Sequence, residues 1–150
     1  MAFASTYPAA KAALISLWDA AVAVPVINGP TIGVGQDGVV TVGYQDENTP
    51  VVIDAVMLRE ASGLNLPERE QYTIYCAVGV NYGSTDVAPA EAAVFTLWAA
   101  LGGALEGNFT LGGAVMSTGV NQYQLWEQQA ADGITVVLKF GVFIDAYTTV

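Results

Sequence analysis

Few side chains in this 150-residue chain are of the types that move protons, hold metals or attack carbonyls, and it has no histidine. Ser5, Ser16, Ser62, Ser84 and Ser117 therefore lack the conventional base that a hydroxyl nucleophile needs. The lone cysteine, Cys76, stands among Ile74, Val78 and Val80 and reads as a small buried hydrophobe. A single cysteine excludes an internal disulfide, and without histidine it excludes a structural zinc centre. Carboxylates pair at Asp46 with Glu47 and at Glu68 with Glu70, but in stretches that read as polar turns, whereas acid–base work needs a concave, partly dry site. A calcium loop needs oxygen ligands at alternating positions, and "DENT" is too short for that. "GVGQDG", with Gly33, Gly35, Gly38 and Asp54 downstream, has the form of a dinucleotide fingerprint. That motif works when a helix follows and offers its amides to the pyrophosphate, and here "VVTVGY" follows, a strand pattern, so the glycines read as a hairpin turn. Asn108-Phe109-Thr110 is a glycosylation sequon in form, read as a chance triplet in a chain without a secretion signal. The expectation is a non-enzymatic protein with no metal and no cofactor.

Four Lys or Arg stand against fourteen Asp or Glu, a net charge of −10. Lys11, Arg59, Arg69 and Lys139 are too few and too dispersed to form the basic face that grips phosphates, so direct nucleic-acid binding is not expected. Hydrophobic residues make up 53 % and charged residues 12 %, more apolar material than one small core hides, which implies contact with another chain. The length fits a single domain over 1–150, and such a domain buries roughly 70 % of the surface its unfolded chain exposes.

The elements follow from periodicity. Thr6 and Pro8 mark a helix start, with the Thr6 hydroxyl as cap, and Lys11, Leu14, Ile15, Trp18 and Val22 recur at helical spacing, predicting a helix over 8–23. The apolar "AALISLW" and the small "AVA" at 21–23 imitate a secretory leader, but no basic region precedes them and Asp19 follows, so an amphipathic helix is expected. "TIGVGQDGVVTVGY" reads as a hairpin and "VVIDAVMLRE" as a strand, followed by a loop over 61–67 that carries Leu64 and Leu66. Over 69–82 the alternation predicts a long strand with Tyr72, Ile74, Cys76, Val78, Val80 and Tyr82 toward the core and Thr73, Tyr75, Ala77, Gly79 and Asn81 away from it. Ser84, Thr85 and Asp86 are candidate caps of a second helix with Val94, Trp98, Leu101 and Leu105 on its apolar stripe. Gly102 and Gly103 weaken that helix by roughly 1 kcal/mol each, which implies tight packing there or an early end. Its uncharged run over 92–105 is shorter than the ~20 residues of a membrane span, so a buried core helix and no membrane partner are expected. Two strands joined by the "ADG" turn close the chain, the last with Ile134, Val136, Leu138, Phe140, Val142 and Ile144 on one face. Together these predict an α+β domain, an antiparallel sheet with two helices packed on one face.

The stretch "REQYTIYCAVGVNYGSTDVAPAEAAVFTLWAALGGALEGNFTLGGAV" over 69–115 resembles the tail terminator, or tail completion, proteins of long-tailed bacteriophages. The resemblance lies in a strand opening as "RE.(Y/F)TI.C", a "G..D" cap into a helix rich in Ala, Phe and Leu, and a "TLGG.V" turn formed by Thr110, Leu111, Gly112, Gly113 and Val115. Leu125, Gln129, Asp132 and Gly133 are similar to the family's closing hairpin, and "LWDAAVAVPVINGP" to its opening helix. Where family members often carry Arg or Glu within the second helix, this chain has the neutral "AALGGAL".

The resemblance implies a virion protein at the head–tail junction, assembled in the host cytoplasm into a ring, commonly of six copies. Such a ring caps the tail tube, ends its polymerisation and docks to the head–tail connector or stopper protein. DNA passes through the lumen without specific binding, and acidic residues such as Asp46 and Glu47 are candidates for lining it. Candidate contacts with a neighbouring copy or the tube are Leu64, Leu66, Tyr123, Trp126 and Phe143. Two other readings stand beside this one: another virion component, such as a tail tube or head-completion subunit, and a small-ligand binding module built around Tyr72, Tyr82 and Trp98.

Overall fold

A computed structural model describes residues 5–29, 38–45, 52–53, 55–60, 69–82, 86–130 and 133–147. In chain order the elements are α1 (Tyr7–Ala21), β1 (Val26–Asn28), β2 (Val39–Val42), β3 (Tyr44–Gln45), β4 (Val52–Ile53), β5 (Ala55–Glu60), β6 (Arg69–Tyr82), α2 (Ala88–Gly107), β7 (Ser117–Ala130) and β8 (Gly133–Tyr147). The α+β class is as the periodicity indicates, with both helices on one face of a six-stranded sheet ordered β1-β2-β6-β8-β7. Five of the strands pair antiparallel, but β1 runs parallel to β2, so the sheet is mixed. β1 escapes the pattern reading because three residues are too few to show a period. The first arm of the hairpin expected around Gly38 lies outside the described residues, as does the loop with Leu64 and Leu66.

β6 is the axis of the sheet. It pairs with β8 along its whole length, from Arg69 opposite Tyr147 to Tyr82 opposite Ile134, while its other edge is shared by β5 near Tyr72 and β2 near Val78. The alternating residues Tyr72, Ile74, Cys76, Val78 and Val80 lie under the helices and are almost wholly buried, as are their β8 partners from Val136 to Ile144, while Tyr82 at the strand end is half-buried. Cys76 is buried, as its neighbours predict. Leu14 and Trp18 of α1 and Val94, Leu101 and Leu105 of α2 close this core. Trp18 ties three elements: its ring centroid is 5.8 Å from that of Phe140 on β8, and its indole N–H donates to the Leu101 carbonyl of α2 at 3.2 Å.

The start of α1 differs from expectation. Thr6 occupies the cap position, but its hydroxyl makes no capping bond. Instead it donates to Glu70 Oε1 at 2.6 Å, while the Thr6 amide donates to the same oxygen at 2.8 Å and Ser5 Oγ donates to Oε2 at 2.7 Å. Glu70 is therefore no solvated turn residue: it is 3 % exposed, within β6, and it places a carboxylate at the positive end of a helix whose own first turn has no acid. Its expected partner in the polar pair, Glu68, lies outside the described residues. Because the Thr6 proton is committed to Glu70, the Tyr72 phenol donates to Thr6 Oγ1 at 2.9 Å. On the far face of the sheet Arg69 grips Asp145 in a two-pronged bond, 2.9 and 3.1 Å, and that bond, above all, holds the Asp145 carboxyl below its usual range.

The link from α2 to β7 is a left-handed turn. Leu111, Gly112 and Gly113 have φ of 50°, 71° and 90°, and the Asn108 side chain accepts the Gly112 amide at 3.0 Å. Leu111 tolerates this backbone because the turn drives its side chain into the core, where it is 3 % exposed. Gly38 also has positive φ, 105°, and a Cβ there would stand 3.0 Å from Leu97 Cδ1 of α2, so glycine opens β2 for both reasons. A strand follows Gly38 rather than the helix a dinucleotide site requires.

Two outcomes follow from the Glu70 cluster. Glu70→Ala leaves three donors without their acceptor and is expected to lower unfolding free energy by about 2–3 kcal/mol in urea titrations. Burial, followed by the facing Glu70 carboxylate, pushes the Tyr72 phenol up to about 12 against the lowering effect of its bond to Thr6. The unfolded phenol ionises near 10, so this contribution is complete below pH 10 and is lost as pH rises through 12. Denaturation midpoints measured across that window are expected to fall less in Tyr72→Phe than in the parent chain.

Candidate interaction surface

Two helices do not cover five strands. Helices pack about 8–10 Å apart and strands about 4.8 Å, so a pair of helices spans about four strands. α2 lies over β6 and β8, α1 lies beside it toward β1, and the helix-facing side of β7 projects beyond them. Thr118, Val120, Tyr123, Leu125 and Glu127 lie on that side, since each is paired with a core-facing residue of β8. A bulge at Asn121 puts Val120 and Tyr123, three residues apart, on the same face, which a strict alternation forbids.

The helix above them is no ordinary surface helix. The buried core helix expected here runs for 20 residues but buries only one stripe, Ala90, Val94, Leu101 and Leu105. Trp98, expected on the buried stripe, is half-buried and turned toward β7, 5.2 Å from Tyr123 and 6.3 Å from Phe95 between ring centroids. Ala92, Phe95, Thr96, Ala99, Ala100 and Gly103 are exposed and uncharged. By length and mean hydropathy, 1.3, α2 would suffice to cross a membrane, although one of its faces packs on the sheet.

Gly102 and Gly103 depart from expectation too. The helix continues past them to Gly107, and nothing lies within 4 Å of where either Cβ would be. Rather than admitting a close neighbour within the fold, they open a cleft of about 670 Å³ between α2 and β7, lined by Trp98, Leu105, Phe109, Gly119 and Val120 among others. Seven large apolar side chains are exposed among the described residues. Six of them, Phe95, Phe109, Met116, Val120, Tyr123 and Leu125, lie on α2, β7 or the turn between them. They make an apolar shelf on the order of 500 Å², at the upper end of what a soluble monomer shows.

Carboxylates rim this shelf: Glu91 and Glu106 on α2 and Glu127 on β7. Partial desolvation, then the charge and hydrogen bond of the neighbouring Glu91, hold Glu127 above its usual range. No group of three or more metal-ligating side chains occurs among the described residues.

Of the residues singled out in the sequence, Tyr123 stands on the shelf and is 63 % exposed. Trp126 and Phe143 are half-buried on the opposite face of the sheet, so the structure separates them from Tyr123. Leu64, Leu66, Asp46 and Glu47 lie outside the described residues. The three aromatics of the ligand-module reading do not converge: Tyr72 and Tyr82 are ten residues apart on one strand, about 33 Å, and Trp98 faces β7. Phe95, Val120 and Leu125 are not among the contact residues the sequence suggests, and the signal that points to Phe95 is the shortage of charge along α2.

Glu127→Gln removes a repulsion present only when both carboxyls are ionised. Because the folded state raises this group, its unfavourable share appears as pH rises through the folded value and vanishes below the ordinary carboxylate range. The variant is expected to melt above the parent at pH 7 and together with it at pH 4. No protein-family model matches the chain, and no curated protein matches it.

Proposed function

We propose that this protein is a structural, non-enzymatic virion component that assembles into a ring, commonly of six copies, at the end of a phage tail tube. The ring ends tube polymerisation and docks to the head–tail connector, and its place is the head–tail junction of the virion. The sequence resemblance over 69–115 suggests this role, and the observation that carries it is the uncovered shelf of α2 and β7. A subunit that leaves six large apolar side chains in water, rimmed with acid, has the surface of a part made to be covered.

The net charge of −10 agrees with a lumen through which DNA slides without adhering. A single terminal ring separates this role from that of a tube subunit, whose rings stack. The ligand-module reading has little support, since its aromatics lie apart and the α2–β7 cleft is open rather than closed.

Negative-stain electron microscopy and light scattering of the purified protein, alone and mixed with tail tubes, test the proposal. The expected result is a ring of defined mass that sits on tube ends and halts their growth. A particle that stays monomeric at every concentration and ignores tubes would overturn it, and stacked rings would assign it to the tube.

A further inference from the structure

The uncovered shelf is bounded by a feature of the backbone. β7 is 14 residues long and, among the described residues, pairs with β8 alone, so its outer edge offers a row of amide and carbonyl groups to another strand. Exposed edges are usually blunted by lysine, proline or inward charge. β7 has no lysine, arginine or proline; it has one carboxylate, Glu127, and one bulge, at Asn121. Edge, shelf and cleft are continuous, because Gly119 and Val120 of β7 line the cleft whose other wall is Trp98, Gly102 and Gly103 of α2.

We infer that a second copy of this chain docks on the α2–β7 shelf and extends the sheet at the edge of β7. The inference rests on the ring reading only in that the protein meets copies of itself. Charge selects the occupant. A basic partner would be drawn to the carboxylate-rich parts of a molecule of net charge −10, not to its least charged face. Two copies repel one another wherever carboxylates face, so they can approach closely only across a surface whose centre is neutral, and the shelf is such a surface. A lipid surface fits less well. Helices that settle on membranes are flanked by Lys or Arg, whereas α2 is flanked and interrupted by Asp86, Glu91 and Glu106, which anionic headgroups repel. The cleft opened by Gly102 and Gly103 has room for apolar side chains of the incoming copy, which the open space around both glycines leaves unobstructed.

Three variants at exposed sites test this: Phe95→Glu on α2, Leu125→Glu on β7, and Tyr147→Glu, the exposed aromatic outside the shelf. Light scattering at increasing concentration is expected to show the parent and Tyr147→Glu associating alike, and both shelf variants dissociating at concentrations at least tenfold higher. Hydrogen exchange of the unmodified protein supplies a second readout, in which β7 amides slow as the protein associates and those of the interior strand β6 do not change. Added salt is expected to strengthen the association, since it screens like charges.

If the parent associates and both shelf variants associate equally well, or β7 amides exchange alike in monomer and assembly, the docking surface is elsewhere and the inference falls while the ring reading stands. Should Leu125→Glu lose its fold, Phe95→Glu and the exchange data decide. A parent that remains monomeric overturns both, and one that remains monomeric yet floats with phosphatidylcholine vesicles assigns the shelf to a lipid surface.

Discussion

The fold depends on the full-length pairing of β6 with β8. Fourteen consecutive register positions join the two strands, and from Tyr72 to Tyr82 the alternate residues of β6 and their β8 partners are all apolar, producing a continuous greasy face roughly 33 Å long. Only helices laid across that face can keep water from it, and the chain supplies one before β6 and one directly after. Their combined width is set by van der Waals packing, not by the sheet, so a fifth strand stays partly bare. The shelf is thus a consequence of architecture: β7 is added outside β8, and among the described residues no third helix covers it.

The placement of α1 shows how a buried charge can organise such a layer. A carboxylate taken from water into a sheet is costly unless its lone pairs are filled. Glu70 is satisfied by a hydroxyl and an amide from Thr6 and a hydroxyl from Ser5, all at the start of α1, where the helix dipole also favours negative charge. Helix and strand are therefore fixed to each other at one end by this cluster and at the other by Trp18, whose indole reaches α2 while its ring meets Phe140. A helix held at both ends has no freedom to slide toward β7, which keeps the uncovered strip on one side of the molecule.

Much of this was legible in the residues. The long strand, the last strand, both helices and the burial of Cys76 follow from period and composition, because each has enough residues for a repeat to stand out. What could not be read has physical causes. Thr6 looked like a cap because capping is local, whereas its true partner, Glu70, is 64 residues away in sequence. Gly102 and Gly103 suggested close packing since helical glycine costs stability, but only the positions of neighbouring elements reveal that the space beside them is empty. Trp98 fits a helical stripe, yet a stripe says nothing about how far a sheet extends beneath it. The bulge at Asn121 inverts the alternation midway along β7 and so hid the fact that Val120 and Tyr123 share a face.

The opposition of charge and grease also bounds how strongly such a surface can adhere. Covering about 500 Å² of apolar surface on each of two partners, at about 25 cal/mol per Å², returns on the order of 25 kcal/mol before costs. Lost rigid-body freedom takes about 4–15 kcal/mol of that. Ordering of side chains and repulsion between carboxylate rims remove more, the latter acting within a Debye length of about 8 Å in physiological salt. The balance is a contact of moderate strength, insensitive to distant charge and sensitive to the rim formed by Glu91, Glu106 and Glu127. A single contact of that kind forms and breaks. A closed cycle holds each subunit at two places, so a ring built on this contact needs a second surface to meet the shelf of the next copy, and a subunit then leaves only if both contacts fail together.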